Sequence, residues 1–104
     1  MKVPSILNGV ADVVIIFFYT EWCPHCKTAK PEWRDFENYI NNINNTNDYQ
    51  VRLLQIDCEK DKKTADKYEI TGYPSVKLIY KEKIYDYDAK VTKSNLVQFL
   101  ESSI

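Results

Sequence analysis

Two cysteines separated by two residues are the part of this chain best suited to chemistry. Cys23 and Cys26 lie in the segment Trp-Cys-Pro-His-Cys at residues 22–26, directly after an apolar run at residues 13–19. A Cys-X-X-Cys pair can form half of a zinc site, a structural disulfide, or a centre that cycles between dithiol and disulfide. Only a thiolate attacks a disulfide, so the third use requires groups that stabilise negative charge on sulfur.

The redox use is favoured over the other two. Zinc usually takes four ligands, often from a second cysteine pair, whereas the other candidates here are His25 and Cys58. His25 lies between the two cysteines, where closing on one ion together with both is awkward. A disulfide across two residues also closes too small a loop to restrict the unfolded chain much. We therefore expect no metal and no organic cofactor.

Length and composition predict one domain, residues 1–104, with its own core. The formal net charge is -1 with both signs intermixed, so we expect neither nucleic acid nor a membrane surface as a partner. Three cysteines fit one working pair plus a spare thiol better than a disulfide framework. The longest apolar run is far shorter than the ~20 residues of a membrane-spanning helix.

The compartment depends on whether the chain is whole. No signal peptide is predicted, because the apolar stretch runs into Trp22 and Cys23 and cleavage there would remove part of the core. A complete chain would be expected in the cytoplasm or a virion. An excised or mature domain would be expected in the ER lumen or another oxidising compartment.

Periodicity predicts the elements that position the pair. Residues 13–19 lack polar alternation, which is typical of a central strand covered on both faces. Pro24 suits the first turn of a following helix, which Pro31 is expected to kink. Cys23 would then lie at a strand-to-helix junction, where unpaired N–H groups stabilise a thiolate. The apolar face of that helix is formed by Ala29, Trp33, Phe36 and Ile40.

The rest of the chain predicts an α/β fold with helices on both faces of a mixed sheet. Residues 1–12 predict a short helical turn ended at Asn8-Gly9, and the asparagine-rich tract 41–48 predicts a surface loop. Strands are predicted at 51–57, 75–80 and 84–87, with a tight turn at 81–83. Helices are predicted at 61–68 and after the cap Thr92, with Leu96, Phe99 and Leu100 facing inward.

Several separated motifs resemble the thioredoxin superfamily over roughly residues 13–101. They are residues 22–27, Pro31 five residues after the second cysteine, Ile56-Asp57-Cys58, and Thr71-Gly72-Tyr73-Pro74-Ser75. Within the superfamily, 56–58 and 72–77 look most like a catalytic domain of a protein disulfide isomerase. The Cys-Pro-His-Cys tetrad looks like that of the bacterial periplasmic disulfide oxidase. The resemblance implies a thioredoxin fold and thiol-disulfide exchange on protein substrates.

The resemblance also implies roles for individual residues. Pro74 is expected to follow a cis peptide bond that places the backbone of Tyr73 beside the cysteines, to pair with an extended substrate. The alternative for Tyr73-Pro74 is an ordinary turn at the start of a strand. Cys23, the more exposed thiol, is expected to attack a substrate disulfide, and Cys26 to attack Cys23 and release the reduced substrate.

Three neighbours are expected to tune the site or to pack beside it. Protonated His25 would favour the Cys23 thiolate and make the disulfide a stronger oxidant, or it is an exposed spacer. Trp22 would cover the site as an apolar lid, or it is a core aromatic. Cys58 is expected to be a small buried hydrophobe beside Asp57, with a redox sensor as the alternative.

The sequence also departs from the family pattern. The buried acid that the family commonly has six residues before the first cysteine is Phe17 here, so we expect a raised pKa at Cys26 and slow release of substrate. Val91 replaces an arginine of disulfide isomerases, and Ala89 stands where glycine is common. Residues 1–12 are too few for the usual first strand and helix. We expect that strand to be missing or supplied by a partner, leaving an exposed sheet edge.

The predicted function is a protein disulfide oxidoreductase. Oxidase or isomerase behaviour is favoured over reductase behaviour because of Pro24 and His25. One alternative is a glutaredoxin-like enzyme that uses glutathione, and another is a thioredoxin-like binding or assembly module without catalysis. Expected partners are protein thiols and disulfides and an unknown redox partner, with the chain a monomer or a weak oligomer through the sheet edge.

Overall fold

The structure, a computed structural model, describes residues 12–46 and 49–104. The order of elements matches the predicted one from the first strand onward. The strands are β1 (Val13–Tyr19), β2 (Val51–Asp57), β3 (Ser75–Tyr80) and β4 (Lys83–Asp86). The helices are α1 (Pro24–Thr46), α2 (Lys62–Lys67) and α3 (Lys93–Ser103).

The four described strands form one mixed sheet in the order β2-β1-β3-β4. Strand β1 pairs in parallel with β2 and antiparallel with β3, and β3 continues into the hairpin with β4. Six of the seven residues of β1 are buried, as predicted for a central strand. Alternate side chains enter two cores: Ile15 and Phe17 pack with α1 and α3, and Ile16 and Phe18 pack with α2.

The prediction of a surface loop at residues 41–48 is wrong for 41–46, because α1 continues to Thr46, and residues 47 and 48 lie outside the described part. Asparagine has low helix propensity, but tertiary contacts override it here. The Asn44 side chain donates to the Val51 carbonyl and accepts from the Val51 N–H, both at 2.9 Å, and so joins the helix to β2. Ile43 packs against the core on the same stretch.

The other predicted boundaries agree to within a residue or two. Thr92 caps α3 by accepting from the Asn95 N–H at 3.1 Å, and Leu96 and Leu100 are buried while Phe99 is only partly buried. The turn of the β3-β4 hairpin consists of Lys81 and Glu82, both with positive φ. Helix α1 passes through Pro31 without interruption, and the bend expected there stays a prediction.

The missing first strand predicted from the sequence would leave one edge of the sheet exposed. Within the described residues, β2 is an edge strand. The helical turn and the missing first strand were predicted for residues 1–12, of which 1–11 lie outside the described part. None of the helices described is both long and apolar enough to cross a membrane.

Candidate active site

Cys23 caps the helix that it precedes. Strand β1 ends at Tyr19 and α1 begins at Pro24, so Cys23 lies at the predicted strand-to-helix junction. The Lys27 N–H donates to the Cys23 carbonyl at 3.2 Å, and the Cys26 N–H donates to Cys23 Sγ at 3.3 Å. The sulfur therefore occupies the place of a capping oxygen, where a free amide and the positive end of the helix favour an anion.

The Tyr73-Pro74 peptide bond is cis, as the resemblance implied. This loop places the Tyr73 carbonyl next to the cysteine pair, where it accepts a hydrogen bond from the Cys23 thiol with 3.6 Å between oxygen and sulfur. The same sulfur thus lies between an amide donor on α1 and a carbonyl acceptor on the loop. The first can stabilise the thiolate and the second can hold the protonated thiol.

Exposure differs between the two thiols in the predicted sense but is small for both. Cys23 is 4% exposed and Cys26 is fully buried. Cys23 is more exposed than Cys26, as expected, but it is still buried, because the cap geometry turns its sulfur toward the helix and the Tyr73 carbonyl. The Tyr73-Pro74 loop forms a rim next to this sulfur.

Trp22 forms part of that rim. It is 59% exposed and meets the Tyr73 ring edge-on, with 6.1 Å between ring centroids. The core-aromatic alternative does not fit this exposure. A large apolar surface next to Cys23 is free to contact another molecule.

A groove runs along the other side of the cis proline. Its volume is about 370 Å³, and its walls come from the first turns of α1, from Pro74 to Val76, and from the segment 87–91. His25 is exposed and lines this groove. Ala89 and Val91, two of the departures from the family pattern, lie in the opposite wall. The influence of His25 on Cys23 stays a prediction.

The environment of Cys26 opposes ionisation. The pKa of the Cys26 thiol is raised to about 11, chiefly by burial and next by the hydrogen bond with Cys23, whereas the Thr20 backbone and Lys30 act in the opposite direction. Phe17 is buried and stacks on Trp33 with 5.1 Å between ring centroids, so position 17 supplies no acid. The predicted rise in the Cys26 pKa agrees with this arrangement.

Cys58 is buried in the core rather than exposed at the surface. It is 4% exposed, its N–H donates to the Tyr19 carbonyl at 2.8 Å, and it belongs to the core on the α2 face. Burial, followed by the negative charges of Asp57 and Asp61, raises the pKa of its thiol. These features fit the predicted small buried hydrophobe, and the redox-sensor alternative has no support from them.

We did not predict from the sequence that Lys30, Glu21 and Tyr19 would lie together next to the cysteine pair. Lys30 Nζ lies 3.5 Å from Glu21 Oε1 and 4.4 Å from the centroid of the Tyr19 ring. The four-residue spacing from Cys26 to Lys30 could have drawn attention to it, since residues at that spacing share a helix face. Among residues 12–46 and 49–104, no three His, Cys, Asp or Glu side chains are grouped to hold a metal ion.

Comparisons with known proteins identify the fold. The thioredoxin family model matches residues 4–102. The chain belongs to the thioredoxin family. This thioredoxin domain is 33% identical over 92 residues to mouse protein disulfide-isomerase A4, covering 86% of the chain and 14% of the relative. It is also 33% identical over 87 residues to human protein disulfide-isomerase A6, covering 83% and 19%.

Solved structures agree with the assignment. The first thioredoxin domain of mouse protein disulfide-isomerase A4 superposes with a TM-score of 0.78 at 28% identity, covering 94% of this chain and 66% of that one. Human ERp44 superposes with a TM-score of 0.80 over 98% of this chain and 28% of that one, at 23% identity, and shows the fold alone. The domain thus spans about a seventh to a fifth of the two isomerases named above.

Proposed function

We propose that this domain is a thiol-disulfide oxidoreductase that acts on protein disulfides through Cys23 and Cys26. The observation that carries the proposal is the 3.3 Å hydrogen bond from the Cys26 N–H to Cys23 Sγ at the start of α1. A thiolate at Cys23 is stabilised there without any cofactor. The relatedness to disulfide isomerases supports the same reaction class.

The proposed cycle has two exchange steps. The Cys23 thiolate attacks a substrate disulfide, so that one substrate sulfur leaves as a thiolate and the other stays bonded to Cys23. The Cys26 thiol then loses its proton to water and attacks Cys23 Sγ. The bond from Cys23 to the substrate breaks, the second substrate sulfur leaves and takes up a proton, and a disulfide joins Cys23 and Cys26. Run in reverse, the same steps oxidise a substrate dithiol.

Substrate binding is proposed at the rim and groove around Cys23. An extended substrate segment would lie along the cis Tyr73-Pro74 loop, with Trp22 covering one side. The groove that His25 lines would take residues on the other side. Protonated His25, next to the helix start, would favour the thiolate form and an oxidising pair. Such a pair would work in a compartment that can reoxidise it, such as the ER lumen.

Turnover by matched variants tests this proposal. The wild-type domain should form disulfides in a reduced protein substrate or rearrange them in a scrambled one. Cys23→Ser should abolish both reactions. Cys26→Ala should accumulate mixed disulfides at Cys23, whereas Cys58→Ala should keep activity because Cys58 is buried away from the exchange. Activity of Cys23→Ser equal to wild type would refute the assignment. Turnover of glutathione mixed disulfides without turnover of protein disulfides would support the glutaredoxin-like alternative.

The direction of the reaction is tested by a redox titration of the Cys23-Cys26 pair. The oxidase or isomerase reading expects a potential well above the roughly −270 mV of a reducing thioredoxin. A potential at that value would leave the exchange chemistry intact and remove the oxidising assignment.

A binding module without catalysis is the second candidate, because Cys26 is buried with a raised pKa and position 17 holds phenylalanine. Both features slow the release of a substrate. The exposed Trp22 and the Tyr73-Pro74 loop would then serve to hold a partner. Partner retention by Cys23→Ser would favour this candidate, whereas loss of the partner would favour exchange.

A further inference from the structure

Lys30, a cation that lowers the pKa of the buried Cys26 thiol, is held in place by two neighbours. Lys30 Nζ pairs with Glu21 Oε1 at 3.5 Å and lies over the Tyr19 ring at 4.4 Å from its centroid. The Lys30 side chain is only 33% exposed, while that of Glu21 is 61% exposed. The aromatic face and the carboxylate each favour a positive charge, so together they restrict the ammonium to one location.

That location is close to Cys26 for reasons of backbone geometry. Lys30 follows Cys26 by four residues on α1, and a helical side chain leans toward the preceding turn, which here carries Cys26. Tyr19 and Glu21 flank Thr20, whose backbone hydrogen-bonds the Cys26 sulfur. The ammonium is thus anchored to the same short segment that touches the thiol.

Cys26 needs such a charge because its other surroundings disfavour the thiolate. It has no solvent exposure, and burial is the largest cause of its raised pKa. Phe17 provides no acid on the strand side. Among the described groups that interact with Cys26, the Cys23 thiol and the Tyr73 phenol carry no positive charge, whereas Lys30 does.

We propose that Lys30, held by Tyr19 and Glu21, is the positioning residue that stabilises the Cys26 thiolate when Cys26 attacks the mixed disulfide. It acts through Cys26 and does not contact the substrate. The inference rests on the proposed function, since it concerns the second exchange step of that cycle. The proton of Cys26 goes to water, and Lys30 keeps its own proton throughout.

The step can be measured apart from protein turnover. In a Cys58→Ala background, the reduced domain is mixed with the reagent DTNB, which releases one aromatic thiolate as it couples to Cys23. A second thiolate is released when Cys26 closes the disulfide, and its rate reports the step that Lys30 would assist. The rate is recorded between pH 6 and pH 9 for each variant, with circular dichroism to check folding.

Removing the positive charge of Lys30 should slow only the release of the second aromatic thiolate. Lys30→Met should reduce it by about three- to tenfold at each pH, a modest factor because the lysine is partly exposed and screened. Lys30→Arg should stay within about twofold of the parent, because the charge is kept. Lys63→Met, which removes an exposed lysine from α2, should change nothing. Glu21→Gln should slow the second release less than Lys30→Met does.

The outcomes separate this inference from the function on which it rests. If a folded Lys30→Met variant releases the second thiolate at the parent rate, the role of Lys30 is overturned. Equal slowing of that release by Lys63→Met would overturn it as well. If Lys30→Met is not folded, Lys30→Gln decides, and a parent rate in that variant overturns the proposal. A domain that closes its disulfide with DTNB but exchanges no protein disulfide refutes the proposed function and leaves the role of Lys30 in place.

Discussion

Cys26 sets the rate of the proposed cycle because its sulfur must ionise inside the protein. Its thiol is fully buried and its pKa is raised to about 11 by burial. At pH 7 the Cys26 thiol is therefore protonated in nearly all molecules. Cys23, by contrast, has the Cys26 amide directed at its sulfur. The two cysteines of one motif therefore have opposite roles, set by a single turn of helix.

The rate of mixed-disulfide resolution should consequently depend steeply on pH. Only the Cys26 thiolate attacks, and burial, the largest cause of its raised pKa, persists when Cys23 is bonded to a substrate, so the thiolate population grows about tenfold for each pH unit below that pKa. We expect the resolution rate to rise with nearly that slope between pH 6 and pH 9. The check is rapid acid quenching of a Cys23 mixed disulfide followed by mass spectrometry. A rate that levels off near pH 7 would contradict a high pKa at Cys26.

Helix α1 carries Cys26, begins directly after Cys23, and is joined to the sheet at its far end. The predicted strand β1 and the predicted start of α1 were correct because an unbroken apolar run and a helical spacing of large side chains are local signals. The end of α1 was predicted wrongly, since Asn44 is retained in the helix by hydrogen bonds to Val51, which sequence patterns do not show. The position of Lys30 Nζ was missed for a similar reason, because it depends on Tyr19 and Glu21.

Replacing Asn44 should loosen this attachment. In Asn44→Ala the Val51 N–H and carbonyl both lose their partner, and we expect the free energy of unfolding to fall by about 1–3 kcal/mol. Urea unfolding measures the change. Asn41→Ala, an exposed position on the same helix, is the matched control and should have an effect within about 0.5 kcal/mol. Equal stability of the two variants would show that the contact with Val51 is not what extends the helix.

The β3-β4 hairpin has a turn that is poorly matched to its residues. Lys81 and Glu82 both adopt positive φ, a conformation for which Asn-Gly is the preferred pair. The double replacement Lys81→Asn, Glu82→Gly should raise the free energy of unfolding by about 1 kcal/mol. Thermal or urea unfolding would detect it. A decrease in stability would mean that the native side chains make a contribution that outweighs their backbone strain.

The molecule as a whole should be sensitive to alkali in its reduced state. Among the described residues, burial is the largest cause of a raised pKa at seven groups: Cys26, Cys58 and the tyrosines 19, 39, 68, 73 and 87. The folded chain therefore keeps protons that the unfolded chain releases, so stability is fully present below the unfolded pKa values and is lost as pH rises. For Cys26 the window runs from about 9 to about 11.

Urea unfolding of the reduced domain at several pH values measures this loss. Within the window, Cys26 alone should lower the free energy of unfolding by about 1.4 kcal/mol per pH unit. Cys26→Ala should show a shallower decline than the parent, since the other raised groups remain. An unfolding midpoint that is constant from pH 8 to pH 10.5 would contradict the upward shifts.

We hold that the sulfur capping α1 is the nucleophile of the pair. The test is the rate at which iodoacetamide labels each of the three cysteines of the reduced domain at pH 7, followed by peptide mass spectrometry. We expect Cys23 to be labelled at least tenfold faster than Cys26 and Cys58, because its sulfur accepts from the Cys26 amide at the positive end of α1, whereas burial raises the pKa of each of the other two thiols. Labelling of Cys26 or Cys58 at the same rate as Cys23 would contradict it.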